Sequence, residues 1–230
     1  MKKDYQPLIY NLLNDPLTGQ QIEDRSFAAI DAEAPAHHYS ANEWQVVRRL
    51  IHTTADFSLT ELVKFSPDAI DSALTALQRG RTIYTDSNMI RSGLSMARLQ
   101  KINPGYQRED ILCHVADEDV VEEAKKSGLP RSLFAIRKAG KKLDGGIVLI
   151  GNAPVALLEL NRMAVEENIC PELVIGMPVG FIHVLESKQE LMGGGLPFIV
   201  LEGRRGGSPL AVATLHALCV IAASSPGRNR

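Results

Sequence analysis

Residues 146–176 read GIVLIGNAPVALLELNRMAVEENICPELVIG, and the alternation within them decides the fold. GIVLIG (146–151) and ELVIG (172–176) are short runs rich in Ile, Val and Leu, as strands buried on both faces require. VALLELNRMAVEEN (155–168) has the length and charged face of a crossover helix, and Pro154 suits its first turn, where no amide donor is needed. A strand, a crossover helix and a second strand imply parallel pairing with a right-handed connection.

The pattern continues outward. TIYTD (82–86) and DILCHVA (110–116) read as strands upstream and PFIVLEG (197–203) as one downstream, with VVEEAKKSG (120–128) and LFAIRKAGKKL (133–143) as helices between. The expectation is an α/β fold: one domain over 1–223, with a mostly parallel sheet of about five strands flanked by helices. In such a sheet a ligand sits beyond the carboxyl ends of the strands. The N-terminal region is helical. Ser40 and Glu43 fit a capping box for a helix through WQVVRRLIHTTADF, which turns Trp44, Val47 and Ile51 inward. A second helix has Ser66 as its cap, Pro67 in its first turn and Gly80 after its end. SSPGRNR (224–230) reads as a frayed tail.

Composition excludes several classes. With 45% hydrophobic residues the chain can bury a core, so disorder is excluded for its bulk. Twenty-five Lys plus Arg against 27 Asp plus Glu, a net charge of −2, leave no overall field for a nucleic-acid backbone or an anionic membrane; only local basic patches remain. No apolar run approaches the roughly 18 residues of a membrane span. The start MKKDYQPLIY has no secretory-signal pattern, and the expectation is a cytoplasmic protein. Cys113, Cys170 and Cys219 are widely spaced, and the adjacent His37 and His38 lack helical i, i+4 spacing, so neither a disulfide framework nor a metal site is expected.

Loops after the strands carry the candidate chemistry. Gly151-Asn152-Ala153-Pro154, Gly176-Met177-Pro178-Val179-Gly180 and Gly203-Arg204-Arg205-Gly206-Gly207-Ser208-Pro209 all follow strand runs. The last has two guanidinium groups and, with Ser208 as cap, a helix start, a combination suited to a carboxylate or phosphate. Asp86 ends the first strand run, placed either to orient a polar ligand or to cap the next helix. His52 lies three and four residues after Arg49 and Arg48. Nearby cations favour the neutral imidazole, and an arriving polycarboxylate would favour the protonated form, as a ligand-gated acid needs; the bland reading is a surface histidine beside solvated arginines. His114 and His216 read as packing residues in a strand and a core helix, and His183 as either packing or ligand-facing. G-x-S-x-G, G-x-G-x-x-G and the Walker spacing are all absent.

DRSFAAIDAEA (24–34), RRLIHTTAD (48–56), FSPDAI (65–70), IYTDSNMIRSG (83–93), IGNAPVALLEL (150–160), GMPVGFIHVLESKQEL (176–191) and GRRGGSPLAVATLHAL (203–218) occur in the order found in one enzyme family. The chain resembles the precorrin-8X methylmutases, including their cobalt-precorrin-8 branch. The resemblance implies a Rossmann-like parallel sheet, a homodimer, no organic cofactor, and migration of a methyl group from carbon 11 to carbon 12 of a tetrapyrrole. It places the catalytic histidine on His52 and substrate contacts on Ser26 and Arg49. Where many relatives carry small residues after GMPVGF, this chain has Ile182-His183-Val184. Location adds the substrate-rim candidates Asp86, Arg91, Arg204, Arg205 and Ser208. The competing expectations are a tetrapyrrole carrier without chemistry and a nucleotide- or sugar-phosphate-using enzyme.

Overall fold

A computed structural model describes residues 6–224. The N-terminal third contains α1 (Ile9–Asn14), α2 (Gly19–Glu33), α3 (Ala41–Thr54), α4 (Leu59–Leu62), β1 (Val63–Phe65) and α5 (Ala69–Gln78). The alternating region follows with β2 (Ile83–Thr85), α6 (Asn88–Gly93), α7 (Met96–Ile102), β3 (Ile111–Leu112), α8 (Glu118–Ser127) and α9 (Arg131–Ala139). It ends with β4 (Ile147–Ile150), α10 (Pro154–Glu167), β5 (Leu173–Gly176), α11 (Val184–Gly193), β6 (Phe198–Leu201) and α12 (Ser208–Ser224). Residues 225–230, most of the expected tail, lie outside the described residues; Ser224 closes α12.

The sheet has six strands in the order β1-β6-β5-β4-β2-β3. All pairings are parallel except β1 with β6, which is antiparallel. The additional strand is β1. Its three residues, Val63-Lys64-Phe65, are too few for a periodic pattern, and they become a strand only by pairing with residues far along the chain, such as Lys64 with Val200. The expected strand 110–116 shrinks to two residues, because β3 pairs on one side only, with β2.

Local capping chemistry sets the helix boundaries. The Ser40 hydroxyl accepts from the Glu43 amide at 3.4 Å and the Glu43 carboxylate from the Ser40 amide at 2.8 Å, which closes the expected capping box of α3. Thr18 and Gln21 do the same for α2. Ser66 departs from its expected role as cap: its hydroxyl accepts from the Phe198 amide at 2.9 Å, so it extends the β1–β6 pairing while α5 starts at Ala69.

Strand alternation divides the core into two layers. Ile83, Ile147, Leu149, Leu173, Ile175 and Ile199 face the layer shared with α3, α5 and α12. Tyr84, Val148, Ile150, Val174 and Val200 face the layer shared with α9, α10 and α11. Helix α12 is apolar nearly all round, which only enclosure by other elements accommodates, and it packs against α3, α5, α6 and α7 as well as β4 and β5. None of the described helices is long and apolar enough to cross a membrane.

Leu218, in the middle of α12, is fully buried. Leu218→Ala is expected to cost about 2–5 kcal/mol of stability, read as a lower urea midpoint with an unchanged slope.

Candidate active site

Phe27, on α2, organises the face that carries His52. The Phe27 and His52 rings are 5.2 Å apart and tilted by 54°. The Arg48 and Arg49 guanidinium carbons lie 4.5 and 4.7 Å from the Phe27 ring centroid, within cation–π range. Helical spacing on α3 thus gathers two cations and an imidazole around one aromatic ring. Ser26, the neighbour of Phe27, is half-buried, and its hydroxyl donates to the Ile22 carbonyl at 2.8 Å in its own helix. His52 is exposed.

The two arginines are not bare charges. Arg49 pairs with Glu23 and Arg48 with Asp31, both acids coming from α2. The cations that the sequence places near His52 are therefore already paired with acids across the α2–α3 seam. Asp31 also accepts from the Trp44 indole at 2.8 Å, which fixes the seam from a second side. A small cleft of about 40 Å³ runs beside Arg48 and Arg49, lined by Phe27, Gln45, Ala217 and Val220. A larger cavity of about 540 Å³ lies elsewhere, against β1, between His37, Tyr39, Glu61 and Phe65, and is not lined by His52.

At the carboxyl ends of the parallel strands, Asp86 takes a place different from either expected one. It is 1% exposed, and its two carboxylate oxygens accept from the amides of Gly151, Asn152 and Ala153 at 3.1, 2.8 and 2.6 Å. Burial pushes its pKa up, and those three amides hold it back. Asp86 thus lies beneath the β4–α10 turn and holds it, without an oxygen turned to solvent. The capping of α6 falls to Ser87, which accepts from the Ile90 amide at 3.3 Å. Ser208 is the first residue of α12, and its hydroxyl sits 3.0 Å from the Ser87 hydroxyl in place of the expected capping bond.

The loops after β5 and β6 are joined. The Gly207 amide donates to the Met177 carbonyl at 2.9 Å, and the Gly180 amide to the Arg204 carbonyl at 3.2 Å. A Cβ at Gly206 would lie 2.2 Å from the Met177 carbonyl oxygen, so only glycine fits this approach. Arg205 reaches across to the end of α3, where it pairs with Asp56 and donates to the Ser58 hydroxyl at 2.6 Å. That contact connects the glycine-arginine loop to the helix of His52. Arg204 is exposed and lies 5.5 Å from the centroid of the exposed Phe181 ring.

The structure therefore gathers Arg48, Arg49 and His52 around Phe27 and joins the Arg205 loop to the end of the same helix, while Ser26 bonds within its own helix and Asp86 and Ser208 hold loops. Arg91 is half-buried and its Nε has no partner. His183 starts α11 with a left-handed φ of 60°, exposed to solvent, so it does not pack. His114 lies past the short β3, where its Nδ1 is 2.9 Å from Asp117, so it is not a strand-interior residue. His216 packs within α12, and its Nε2 accepts from the Ser95 amide at 3.1 Å. Two participants carried no sequence signal of their own. Phe27 stands beside the singled-out Ser26, and Lys188 of α11 sends its ammonium to the Gly203 and Arg205 carbonyls at 2.8 and 2.7 Å. Among the described residues no group of three or more His, Cys, Asp or Glu side chains is placed to hold a metal.

The family model for precorrin-8X methylmutase matches residues 21–221, a stretch that contains every one of these groups. The chain belongs to the precorrin-8X methylmutase family. It is 42% identical to a cobalt-precorrin-8 methylmutase of Leptospira interrogans over 88% of this chain and 94% of that one. It is also 42% identical to a cobalt-precorrin-8 methylmutase of Priestia megaterium, over 91% and 92% of the two chains. A solved precorrin-8x methylmutase from Thermus thermophilus superposes with a TM-score of 0.81 at 45% identity, covering 89% of this chain and 97% of that one. The α/β architecture with its mostly parallel sheet is thus shared with that solved structure.

Two outcomes follow from the geometry. Asp86→Ala removes the acceptor of three amides and is expected to cost about 1–3 kcal/mol or more in denaturant unfolding. Burial, aided by Arg98 and Arg49, lowers the His216 pKa from 6.5 to about 4. Between those values the unfolded chain binds the proton and the folded one resists it, so the stability from neutral His216 is complete above pH 6.5 and is lost as pH falls toward 4. Melting temperature should fall over that window in the wild type and fall less in His216→Gln.

Proposed function

We propose that the protein is an isomerase of corrin-ring biosynthesis that acts on precorrin-8x or its cobalt form, with His52 as the proton donor and acceptor. The observation that carries this reading is the gathering of Arg49 and exposed His52 around Phe27, within the stretch that the family model matches. The reaction conserves composition: the methyl bond at carbon 11 breaks, a bond at carbon 12 forms, and no methyl donor, oxidant or reductant enters. His52 protonates the ring-C region and takes the proton back. A placed acid of this kind contributes about 100- to 10,000-fold, and the remaining acceleration comes from holding the macrocycle in one conformation.

Substrate carboxylates are gripped by Arg49, Arg204 and Arg205, and Ser26 of α2 is a further substrate contact. Glu23 occupies one end of the Arg49 guanidinium, whose other N–H groups remain for a carboxylate. Asp56 and Ser58 likewise orient Arg205 without using all of its donors. Asp86 and Ser208 act one layer below, by holding the loops that the ring rests on.

The reading includes a homodimer in the cytoplasm. Leu8, Ile9, Tyr10, Leu12 and Leu13 in and around α1 are exposed, and α1 buries none of its residues within the chain, as expected of an apolar helix that meets a second copy. All three cysteines are free, in keeping with a reducing compartment.

Purified protein is expected to convert precorrin-8x or its cobalt form with a change in visible absorbance and no added cofactor, and comparison of the two rates identifies the natural substrate. His52→Ala should lower turnover by about 100- to 10,000-fold while the melting temperature and product binding stay close to wild type. Wild-type turnover in that variant removes His52 from the mechanism. Sedimentation equilibrium should give twice the chain mass of 25.1 kDa, and Leu12→Glu with Leu13→Glu should shift it toward the monomer.

A further inference from the structure

Lys188 is 1% exposed, and no carboxylate pairs with it among the described residues. A buried ammonium without a counter-charge is unfavourable, and a methionine would fill nearly the same space at lower cost. Burial lowers the Lys188 pKa to about 8. What the ammonium touches is specific: the carbonyls of Gly203 and Arg205, alternate peptide units of one loop.

Peptide units are planar and trans, so each carbonyl points opposite to the N–H of the next residue. With the Gly203 and Arg205 carbonyls drawn inward to Lys188, the amides of Arg204 and Gly206 face the other way. Neither amide has an acceptor among the described residues. The loop is braced on both flanks by the Gly207–Met177 and Gly180–Arg204 bonds, and Gly203 has a φ of 77°, open to glycine without strain. Two amides without an acceptor, in a loop that also carries Arg204 and Arg205, suit an anion, and the Lys188 ammonium on the opposite side of the peptide planes adds positive charge.

We infer that Lys188 is the positioning residue of the 203–207 loop, fixing two peptide planes so that the Arg204 and Gly206 amides receive a carboxylate of the substrate. The inference rests on the reading of that loop as a substrate grip. Lys188 acts through the loop and does not touch the reacting atoms.

The experiment begins with wild-type turnover of precorrin-8x and its cobalt form; failure with both overturns the functional reading, and the inference that rests on it falls with it. With turnover established, Lys188→Met is expected to raise KM and the Kd of the product hydrogenobyrinate by about tenfold or more while kcat falls by less than about threefold. Lys188→Arg, which keeps donors toward both carbonyls, should recover part of the affinity. In the wild-type protein, saturating hydrogenobyrinate should slow hydrogen exchange at the Arg204 and Gly206 amides, a measurement that stands even if Lys188→Met does not fold. A folded Lys188→Met protein with wild-type KM and Kd overturns the inference, as does unaltered exchange at both amides.

Discussion

A helix without a polar face must be enclosed, and the enclosure of α12 is the constraint from which the rest of the arrangement follows. The sheet covers one side, and α3, α5, α6 and α7 cover the others. Docking on α12 fixes α3, which then presents His52 to solvent and Arg49 to Glu23 of α2, while its inner face sends Val46, Val47, Leu50 and Ile51 into the core. The start of α12 also anchors the end of the glycine-arginine loop. One apolar helix thereby sets both the histidine face and the loop that reaches it through Arg205 and Asp56.

The loops at the strand ends are held from below by groups that water does not reach. Asp86 gathers three amides of one turn, and Lys188 gathers two carbonyls of another. One is a buried carboxyl group facing N–H groups and the other a buried amine facing C=O groups. Both orient backbone dipoles, which directional bonds in a low-dielectric interior do more firmly than solvated ones. Such rigid support lets exposed loops keep one geometry for a large ligand.

Charge at the surface follows a different rule. Arg48, Arg49 and Arg205 are each oriented by an acid, namely Asp31, Glu23 and Asp56. The exposed Arg205–Asp56 pair adds little to stability, but all three pairs fix where the guanidinium groups point. A near-neutral chain can in this way present several aimed cations to a polycarboxylate without an overall positive field.

The sequence by itself determined the alternating α/β order, because strand runs and helix periods are local properties, and its capping box at Ser40 and Glu43 placed the helix of His52 correctly. The ordered motifs also identified the family. Only the tertiary structure decided the sixth strand, since Val63-Lys64-Phe65 becomes a strand through pairing with residues more than a hundred positions away. It likewise decided that Asp86 and Ser208 support loops from below, that Ser66 serves the sheet, and that the arginines beside His52 are already paired with acids from α2. A titratable residue type is visible in a sequence; whether it is buried, and which distant backbone groups it meets, is fixed only when the chain closes its core.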